Sequence, residues 1–242
     1  MDSANFVKYR TICEIPETYL LSFGKNNTLE TSSKFVSLYS NALHGSVDDM
    51  VLLANCYYWG DGVEKDYVEA NKWNQQAAEQ GNAEAQNNLG NNYYRGEGVI
   101  EDREEAVKWY RKAAEQGNEF GQKNLGICYF YGEGVEENKS EAIKWYRKAA
   151  EQNNAEAQNR LGNCYYRGEG VTEDKKEAIK LYRMAAQQGY AKAQYNLGNC
   201  YYIGDGVEKN RIEAVEWYQK AAEQGNVEAQ CMLEKCYHNV IE

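Results

Sequence analysis

The chain has 242 residues, of which 43% are hydrophobic and 26% are charged, and its formal net charge is −10. This composition predicts a folded protein with a substantial core. The acidic balance argues against nucleic acid or an anionic membrane surface as the principal partner, because both would require a basic face. No stretch has the length and apolarity of a membrane span, and residues 1–24 do not resemble a signal peptide, so we expect a cytoplasmic protein.

A repeat of 36 residues organises most of the chain. Its clearest marker is a leucine followed four residues later by a tyrosine, and the leucines are Leu53, Leu89, Leu125, Leu161, Leu197 and Leu233. Glycine pairs keep the same phase, from Gly60 and Gly62 to Gly204 and Gly206. A fixed period of this length is the signature of a protein built from stacked structural repeats.

Each repeat is predicted to contain two helices, which we name helix A and helix B. In the second repeat, Ala85, Leu89 and Tyr93 form one stripe of helix A, and Gly96 ends the helix in a left-handed conformation. Asp102 is a suitable N-cap for helix B. The equivalent N-caps are Asp66, Asn138, Asp174 and Asn210. The inward stripe of helix B consists of alanine and aromatic residues, namely Ala106, Trp109, Tyr110, Ala113 and Ala114.

One such helix pair cannot bury its apolar stripes alone, so neighbouring pairs must stack. The pattern Leu-Gly-x-x-Tyr, Gly-x-Gly-Val and Ala-x-x-Trp-Tyr-x-x-Ala-Ala resembles the Sel-one-like repeat family, which is related to tetratricopeptide repeats. Five complete repeats cover residues 46–226, and a terminal helix A with a tail covers residues 227–242. Three departures stand out: Ala54 replaces a glycine, Asn74 replaces the second aromatic residue, and Leu181 replaces the tryptophan.

The resemblance implies an all-α fold, a right-handed α/α superhelix or solenoid of antiparallel helix pairs with helices A on its concave side. It also implies a protein-binding scaffold or adaptor rather than an enzyme. Residues 1–45 are predicted to form a degenerate capping repeat, because Gly24 and Gly45 fall on the repeat phase and residues 34–44 suit a second helix. The alternative, a disordered tail, fits poorly with the many apolar side chains of this segment.

The cysteines form a column rather than a disulfide framework. Five of the seven share one phase, namely Cys56, Cys128, Cys164, Cys200 and Cys236, and Asn92 takes the sixth place. Equivalent residues of packed repeats lie roughly 8 to 10 Å apart, which is too far for a disulfide or a shared zinc ion. We therefore expect small core residues, with no metal and no cofactor. Cys13 and Cys231 lie outside the column and are the candidates for reactive thiols.

Catalytic motifs are weak. Ser22 and Lys25 form an S-x-x-K pair, and some members of the family are described as binding or hydrolysing β-lactams. Neither an S-D-N nor a K-T-G motif accompanies the pair. The two histidines, His44 and His238, are far apart in the repeat array. A β-lactam hydrolase-like enzyme is therefore only an alternative, and we expect no catalytic site.

The predicted binding site is the set of helix A side chains that point away from the core, on the concave face. An asparagine amide can both donate to and accept from a peptide unit, and aromatic residues mixed with arginine are typical of binding hot spots. The predicted residues are Asn55, Tyr58, Trp59, Asn91, Tyr94, Arg95, Lys123, Phe130, Tyr131, Asn163, Tyr166, Arg167, Asn199 and Tyr202. In the alternative interpretation, the asparagines only solvate a face and the tyrosines support neighbouring repeats.

Two further expectations concern the partner. Arg95, Lys123, Arg160 and Arg167 favour an acidic or carboxylate-ended peptide, although Glu156 can pair with Arg160 one helical turn away. The terminal helix A has no helix B beside it in the sequence, so self-association through the C-terminal edge is an alternative role, as in a structural or self-assembling repeat protein.

Overall fold

The computed structural model describes residues 29–238, and within that range every regular element is an α-helix. The helices are α1 (Leu29–Leu43), α2 (Val47–Trp59), α3 (Tyr67–Glu79), α4 (Ala83–Arg95), α5 (Arg103–Glu115), α6 (Glu119–Tyr131), α7 (Lys139–Glu151), α8 (Ala155–Arg167), α9 (Lys175–Gln187), α10 (Ala191–Ile203), α11 (Arg211–Glu223) and α12 (Val227–His238). From α2 onwards the even-numbered helices are helices A and the odd-numbered helices are helices B, and equivalent helices begin 36 residues apart. The predicted all-α repeat fold is confirmed.

The chain divides into two compact units, residues 1–121 and residues 122–242, and the boundary falls inside α6. In the first unit each helix from α1 to α5 packs against the next, and one core cluster runs from Phe35 to Trp109. In the second unit the same holds from α7 to α12, with core clusters built on the same repeat positions. Stacked helix pairs therefore form the core of each unit.

The predicted second helix of the N-terminal segment is present as α1, which begins five residues earlier than residue 34. Phe35 and Tyr39 of α1 are buried, and their rings contact Tyr57 and Trp73 at centroid distances of 5.6 and 5.7 Å. The earlier part of the proposed capping repeat, with Gly24, lies outside the described residues. A capping role for residues 1–45 remains a proposal.

Helix ends follow the predicted chemistry. Gly96 closes α4 at φ 69°, and the Asp102 carboxylate accepts from the backbone N–H of Glu105 at 2.9 Å at the start of α5. The backbone N–H of Asp102 donates to the carbonyl of Tyr93 at 2.9 Å, which fixes the turn between the helices. The same caps occur at Asp66, Asn138, Asp174 and Asn210. Local sequence therefore determines where each helix B begins.

The core stripes agree with the prediction except at one position. All five predicted helix B residues of the second repeat are buried, as are Ala85 and Leu89 of helix A. Tyr93 is only half-buried, whereas Asn92 is 3% exposed. At about 100° per residue, a side chain seven positions after Ala85 is about 20° off its direction, and one eight positions after is about 80° off. Tyr93 itself packs against the core cluster of the first unit, so the exception is Asn92, which lies in the core although the predicted stripe did not include it.

The cysteine column lies in the core, as expected. Cys128, Cys164, Cys200 and Cys236 are buried free thiols, and Cys56 is half-buried. Burial raises the pKa of Cys164 and of Cys200 to about 12. Cys231 is exposed, whereas Cys13 lies outside the described residues.

Asn92, the exception in the cysteine column, has a specific partner. Its Nδ2 donates to Oδ1 of Asn71 on α3 at 2.7 Å, and both side chains are buried. In the other repeats a valine or isoleucine stands at the position of Asn71, as Val107 and Ile143 do. The two asparagines therefore depart from the repeat pattern together, because each satisfies the other.

Helix A and helix B of one repeat are matched by a glycine and a tyrosine. A Cβ built at Gly162 would lie 2.7 Å from Cε1 of Tyr182, so the ring occupies the space that any side chain would need. The same relation joins Gly90 to Tyr110, Gly126 to Tyr146 and Gly198 to Tyr218. In repeat 1 the pair is Ala54 and Asn74, so the alanine is tolerated where the ring is missing.

A column of buried glutamines, which was not predicted, ties successive repeats together. Gln158 of α8 donates from Nε2 to the carbonyl of Ala150 in α7 at 3.1 Å, and its Oε1 accepts from Nε2 of Gln188 at 2.8 Å. Gln86 and Gln194 make the same contacts. Their spacing by multiples of 36 residues was a signal in the sequence, but the pattern did not reveal that glutamine would be buried.

Candidate protein-binding face

The last residue of helix A is exposed in all five repeats. These residues are Trp59, Arg95, Tyr131, Arg167 and Ile203. Trp59 is 72% exposed and Tyr131 is 57% exposed, which is unusual for large aromatic side chains. We name the surface formed by these residues and their helix A neighbours the A face, and we describe it separately in each unit.

The asparagines of the A face are engaged inside their own repeats. The hydroxyl of the helix B tyrosine donates to the Oδ1 of the helix A asparagine, from Tyr182 to Asn163 at 2.8 Å and from Tyr218 to Asn199 at 2.7 Å. Tyr110 donates to Asn91 in the same way at 2.9 Å. A peptide bound there would therefore find the amide oxygens already accepting one hydrogen bond. Asn55 differs, since Asn74 replaces the tyrosine in its repeat.

The next column of aromatic residues is half-buried and partly covered by the chain itself. The hydroxyl of Tyr58 donates to Glu97 of the following repeat at 2.7 Å, and Tyr166 donates to Asp205 at the same distance. Burial and the bond to Glu97 raise the pKa of Tyr58. These contacts fit the alternative interpretation, in which the tyrosines support the neighbouring repeat.

A cation at or just before the first residue of helix B also covers one face of each ring in this column. The distances from the cation to the ring centroid are 6.0 Å for Tyr58, 5.2 Å for Tyr94, 5.2 Å for Phe130, 5.5 Å for Tyr166 and 5.8 Å for Tyr202. Cation–π contacts of this length are attractive and hold the rings in place. The positions of these aromatic rings are therefore fixed by contacts within the chain.

Positive charge on the A face is largely compensated. Glu156 contacts Nζ of Lys123 at 3.1 Å and the guanidinium of Arg160 at 2.7 Å. Desolvation would raise the pKa of Glu156, but these two cations outweigh it and leave the pKa lowered. Arg95 lies 3.8 Å from Glu97. The arrangement weakens the case for an acidic peptide, which remains a hypothesis.

Five of the predicted residues meet at a cavity of about 270 Å³ in the first unit. Its lining consists of Asn55, Tyr58, Trp59, Asn74, Asn88, Asn91, Asn92 and Arg95. Asn74, Asn88 and Asn92 were not among the predicted site residues. Asn74 had been noted as a departure from the repeat, and that departure was the signal that could have identified it.

Four predicted residues meet at a smaller cavity of about 60 Å³ in the second unit. They are Phe130, Tyr131, Asn163 and Arg167, and the remaining lining residues are Tyr146, Arg160, Cys164 and Glu169. The predicted residues that line neither cavity are Tyr94, Lys123, Tyr166, Asn199 and Tyr202. The structure thus divides the predicted set into two local clusters and a remainder.

The described residues offer neither a metal site nor a membrane span. Among residues 29–238 no group of three or more histidine, cysteine, aspartate or glutamate side chains is placed to hold a metal ion. In the same part of the chain, no helix combines the length and apolarity needed to cross a bilayer. Ser22 and Lys25 lie outside the described residues.

Comparison with protein families gives one clear match. The model for the Sel1 repeat matches five consecutive segments, residues 47–82, 83–118, 120–154, 155–190 and 191–226. These segments cover most of the chain. A search of curated proteins gave no significant match.

Solved structures share the fold. A protective antigen of uropathogenic Escherichia coli strains, which displays an SLR fold, is 38% identical with a TM-score of 0.76 over 85% of this chain and 44% of its own. This chain therefore spans less than half of that protein. A Sel1 repeat protein from Oxalobacter formigenes is 36% identical with a TM-score of 0.74, covering 82% of this chain and 86% of its own. A Sel1 repeat protein from Klebsiella pneumoniae, at 22% identity and a TM-score of 0.56 over 86% of this chain and 99% of its own, shares the fold alone.

Proposed function

The chain belongs to the Sel1 repeat family, whose members are generally protein-interaction scaffolds, and we propose that it binds an extended segment or helix of a partner protein on its A face. The observation that carries the proposal is the convergence of helix A side chains on a cavity in each unit. The lining of each cavity includes an exposed aromatic residue and an arginine, namely Trp59 and Arg95 in the first unit and Tyr131 and Arg167 in the second. Repeat proteins commonly use such surfaces to hold a partner segment.

The rigidity of the aromatic residues favours binding. Trp59 packs edge-on against Tyr58 at a centroid distance of 4.8 Å, and Tyr131 packs in the same way against Phe130 at 4.9 Å. An aromatic residue that is already held loses little conformational freedom when a partner covers it. Trp59 and Tyr131 are therefore our candidates for the residues that contribute most to affinity.

We further propose that the protein acts in the cytoplasm and without a catalytic step. Buried free thiols such as Cys164 and Cys200 suit a reducing compartment. In this proposal the partner is a protein or peptide, and no cofactor takes part.

Affinity capture from the native cell tests the proposal. We compare the natural chain with Asn163→Ala/Tyr166→Ala/Arg167→Ala, which alters the A face of the second unit. The matched control is Lys144→Ala/Lys180→Ala, because these lysines are about two-thirds exposed on helices B. We expect the control to retain the captured proteins and the A-face variant to lose them. An unchanged set of captured proteins with the A-face variant would contradict the proposal.

Self-association is the second candidate, and it is favoured by the exposure of Val227, 64% exposed, at the start of α12. Light scattering over a range of concentrations separates the two roles. A mass that stays at that of one chain would exclude self-association.

A further inference from the structure

The cavity of the first unit lies where repeat 1 lacks an aromatic ring. The four other repeats place a helix B tyrosine against helix A, and these tyrosines are Tyr110, Tyr146, Tyr182 and Tyr218. Three of them donate their hydroxyl to an asparagine of helix A at 2.7 to 2.9 Å. Repeat 1 retains this acceptor in Asn55 but has the much shorter Asn74 in place of the ring. Both Asn55 and Asn74 line the cavity.

An unsatisfied acceptor belongs to Asn74, one of the residues that line this cavity. Asn74 is only 2% exposed, and its Oδ1 is buried without a hydrogen-bond partner among the described residues. A buried polar atom left without a partner loses its hydrogen bonds to water and gains none in the protein, so such atoms are rare in native proteins. A ligand that donates a hydrogen bond to this oxygen would supply the missing partner.

Departures from the repeat pattern converge on the same cavity. Asn92, which replaces the column cysteine, lines it together with Asn74. Asn71, which replaces a valine or isoleucine, accepts a hydrogen bond from the Asn92 side chain at 2.7 Å. The junction of repeats 1 and 2 therefore carries amides at three positions where the repeats of the second unit have valine or isoleucine, tyrosine and cysteine. A simple packing defect would be lined by the usual apolar residues of the repeat, whereas this cavity has asparagines in their place, as a binding site would.

The walls and charges of the cavity select among donors. Tyr58 and Trp59 line it with aromatic surface, which favours a flat apolar body. Among the described residues, Arg95 is the one charged residue of the lining, and no carboxylate lines the cavity to pair with a lysine or arginine. A carboxylate carries no donor for Asn74. A neutral group that joins an aromatic ring to a hydrogen-bond donor satisfies all of these conditions.

We propose that this cavity binds the side chain of a tyrosine residue in the partner, which supplies the phenol that repeat 1 lacks. The ring packs against the aromatic surface that Tyr58 and Trp59 form together, and its hydroxyl donates to Asn74 Oδ1 or Asn55 Oδ1. This assignment rests on the proposed function and makes the partner segment specific: it carries a tyrosine at one fixed position. The phenol enters from the A face. It therefore does not have to pack against Ala54, as a tyrosine ring attached to helix B at position 74 would.

A selection of displayed random peptides on the full chain tests the assignment. The natural protein is compared with Ala54→Gly/Asn74→Tyr, which restores the glycine and tyrosine of the other repeats and so fills the cavity from within. The matched control is Leu181→Trp, which restores another family residue in a buried position of the second unit. Circular dichroism verifies that both variants retain their helices.

We expect peptides that bind the natural protein and the Leu181→Trp variant, but not the filled variant, to share a tyrosine. Replacing that tyrosine by phenylalanine should weaken binding roughly 2- to 12-fold, the equivalent of one net hydrogen bond. The assignment is overturned if no peptide distinguishes the filled variant, if the distinguishing peptides lack tyrosine, or if phenylalanine binds equally well. The cellular capture experiment on Asn163, Tyr166 and Arg167 concerns the second unit, so the proposed function can survive that outcome or fail independently of it.

Discussion

Replacement of Gly162 by alanine tests the matching of helix A to helix B. An alanine in place of a glycine inside a helix normally stabilises it by about 1 kcal/mol. Here the new Cβ would lie 2.7 Å from Cε1 of Tyr182 and 3.3 Å from the carbonyl oxygen of Ala178. Overpacking of this kind costs about 1–3 kcal/mol, and displacing the ring also breaks its 2.8 Å hydrogen bond to Asn163, at about 0.5–1.5 kcal/mol. We expect a net loss of roughly 0.5–3.5 kcal/mol.

Urea unfolding followed by circular dichroism measures this change as a shift in midpoint. The control background is Tyr182→Asn, because the double variant Gly162→Ala/Tyr182→Asn reproduces the Ala54 and Asn74 pair of repeat 1. Without the ring, the alanine should stabilise the protein relative to Tyr182→Asn, so the sign of its effect reverses. If alanine at position 162 stabilised the natural protein by about 1 kcal/mol, the steric explanation of the repeat glycine would be refuted.

Three further predictions concern the other buried groups. Gln158→Leu should destabilise the protein by about 1–3 kcal/mol in the same urea assay, because it removes two hydrogen bonds, to the carbonyl of Ala150 and from Nε2 of Gln188, each worth about 0.5–1.5 kcal/mol; a neutral effect would show that the glutamine column is dispensable. The lowered pKa of Glu156 contributes stability that is present above the unfolded value of about 4.3 and is lost as the pH falls through the folded value. The difference in unfolding free energy between the natural protein and Glu156→Gln, about 1 kcal/mol at neutral pH, should therefore shrink in acid, and a difference that is constant with pH would contradict the ion pair. Cys231 should be alkylated well before Cys164 in the native protein, since a pKa of about 12 leaves roughly one thiolate in ten thousand at pH 8; peptide mapping that finds equal labelling would contradict the burial of the column.

Much of the fold could be predicted because it is local chemistry repeated. The 36-residue spacing, the N-cap at Asp102 and the glycine at 96 determine where helices start and stop, and each depends on backbone geometry within a few residues. The burial of the cysteine column also followed from its phase. The predicted stripe did not include Asn92, which is buried because seven residues after Ala85 complete almost two turns of a helix with 3.6 residues per turn.

The candidate site was only partly predictable for a different reason. The phase of helix A identified Asn55, Trp59 and Arg95 as surface residues. No periodic signal predicts that Asn74 belongs to the site, because it lies on helix B and is distinguished only by replacing the tyrosine of the other repeats. Whether the replacement leaves a cavity depends on whether neighbouring side chains fill the volume of the missing ring.

The sequence by itself determined the repeat, its helices and the family, because these depend on spacing and on short-range hydrogen bonds. Only the tertiary structure decided which surface side chains are already engaged, as Asn163 is by Tyr182 and Tyr58 is by Glu97. It also decided that the oxygen of Asn74 is buried and unsatisfied beside a cavity. These properties arise from contacts between residues that lie about 20 to 40 positions apart. The repeat pattern shows which residues are equivalent, but it does not show which of them touch.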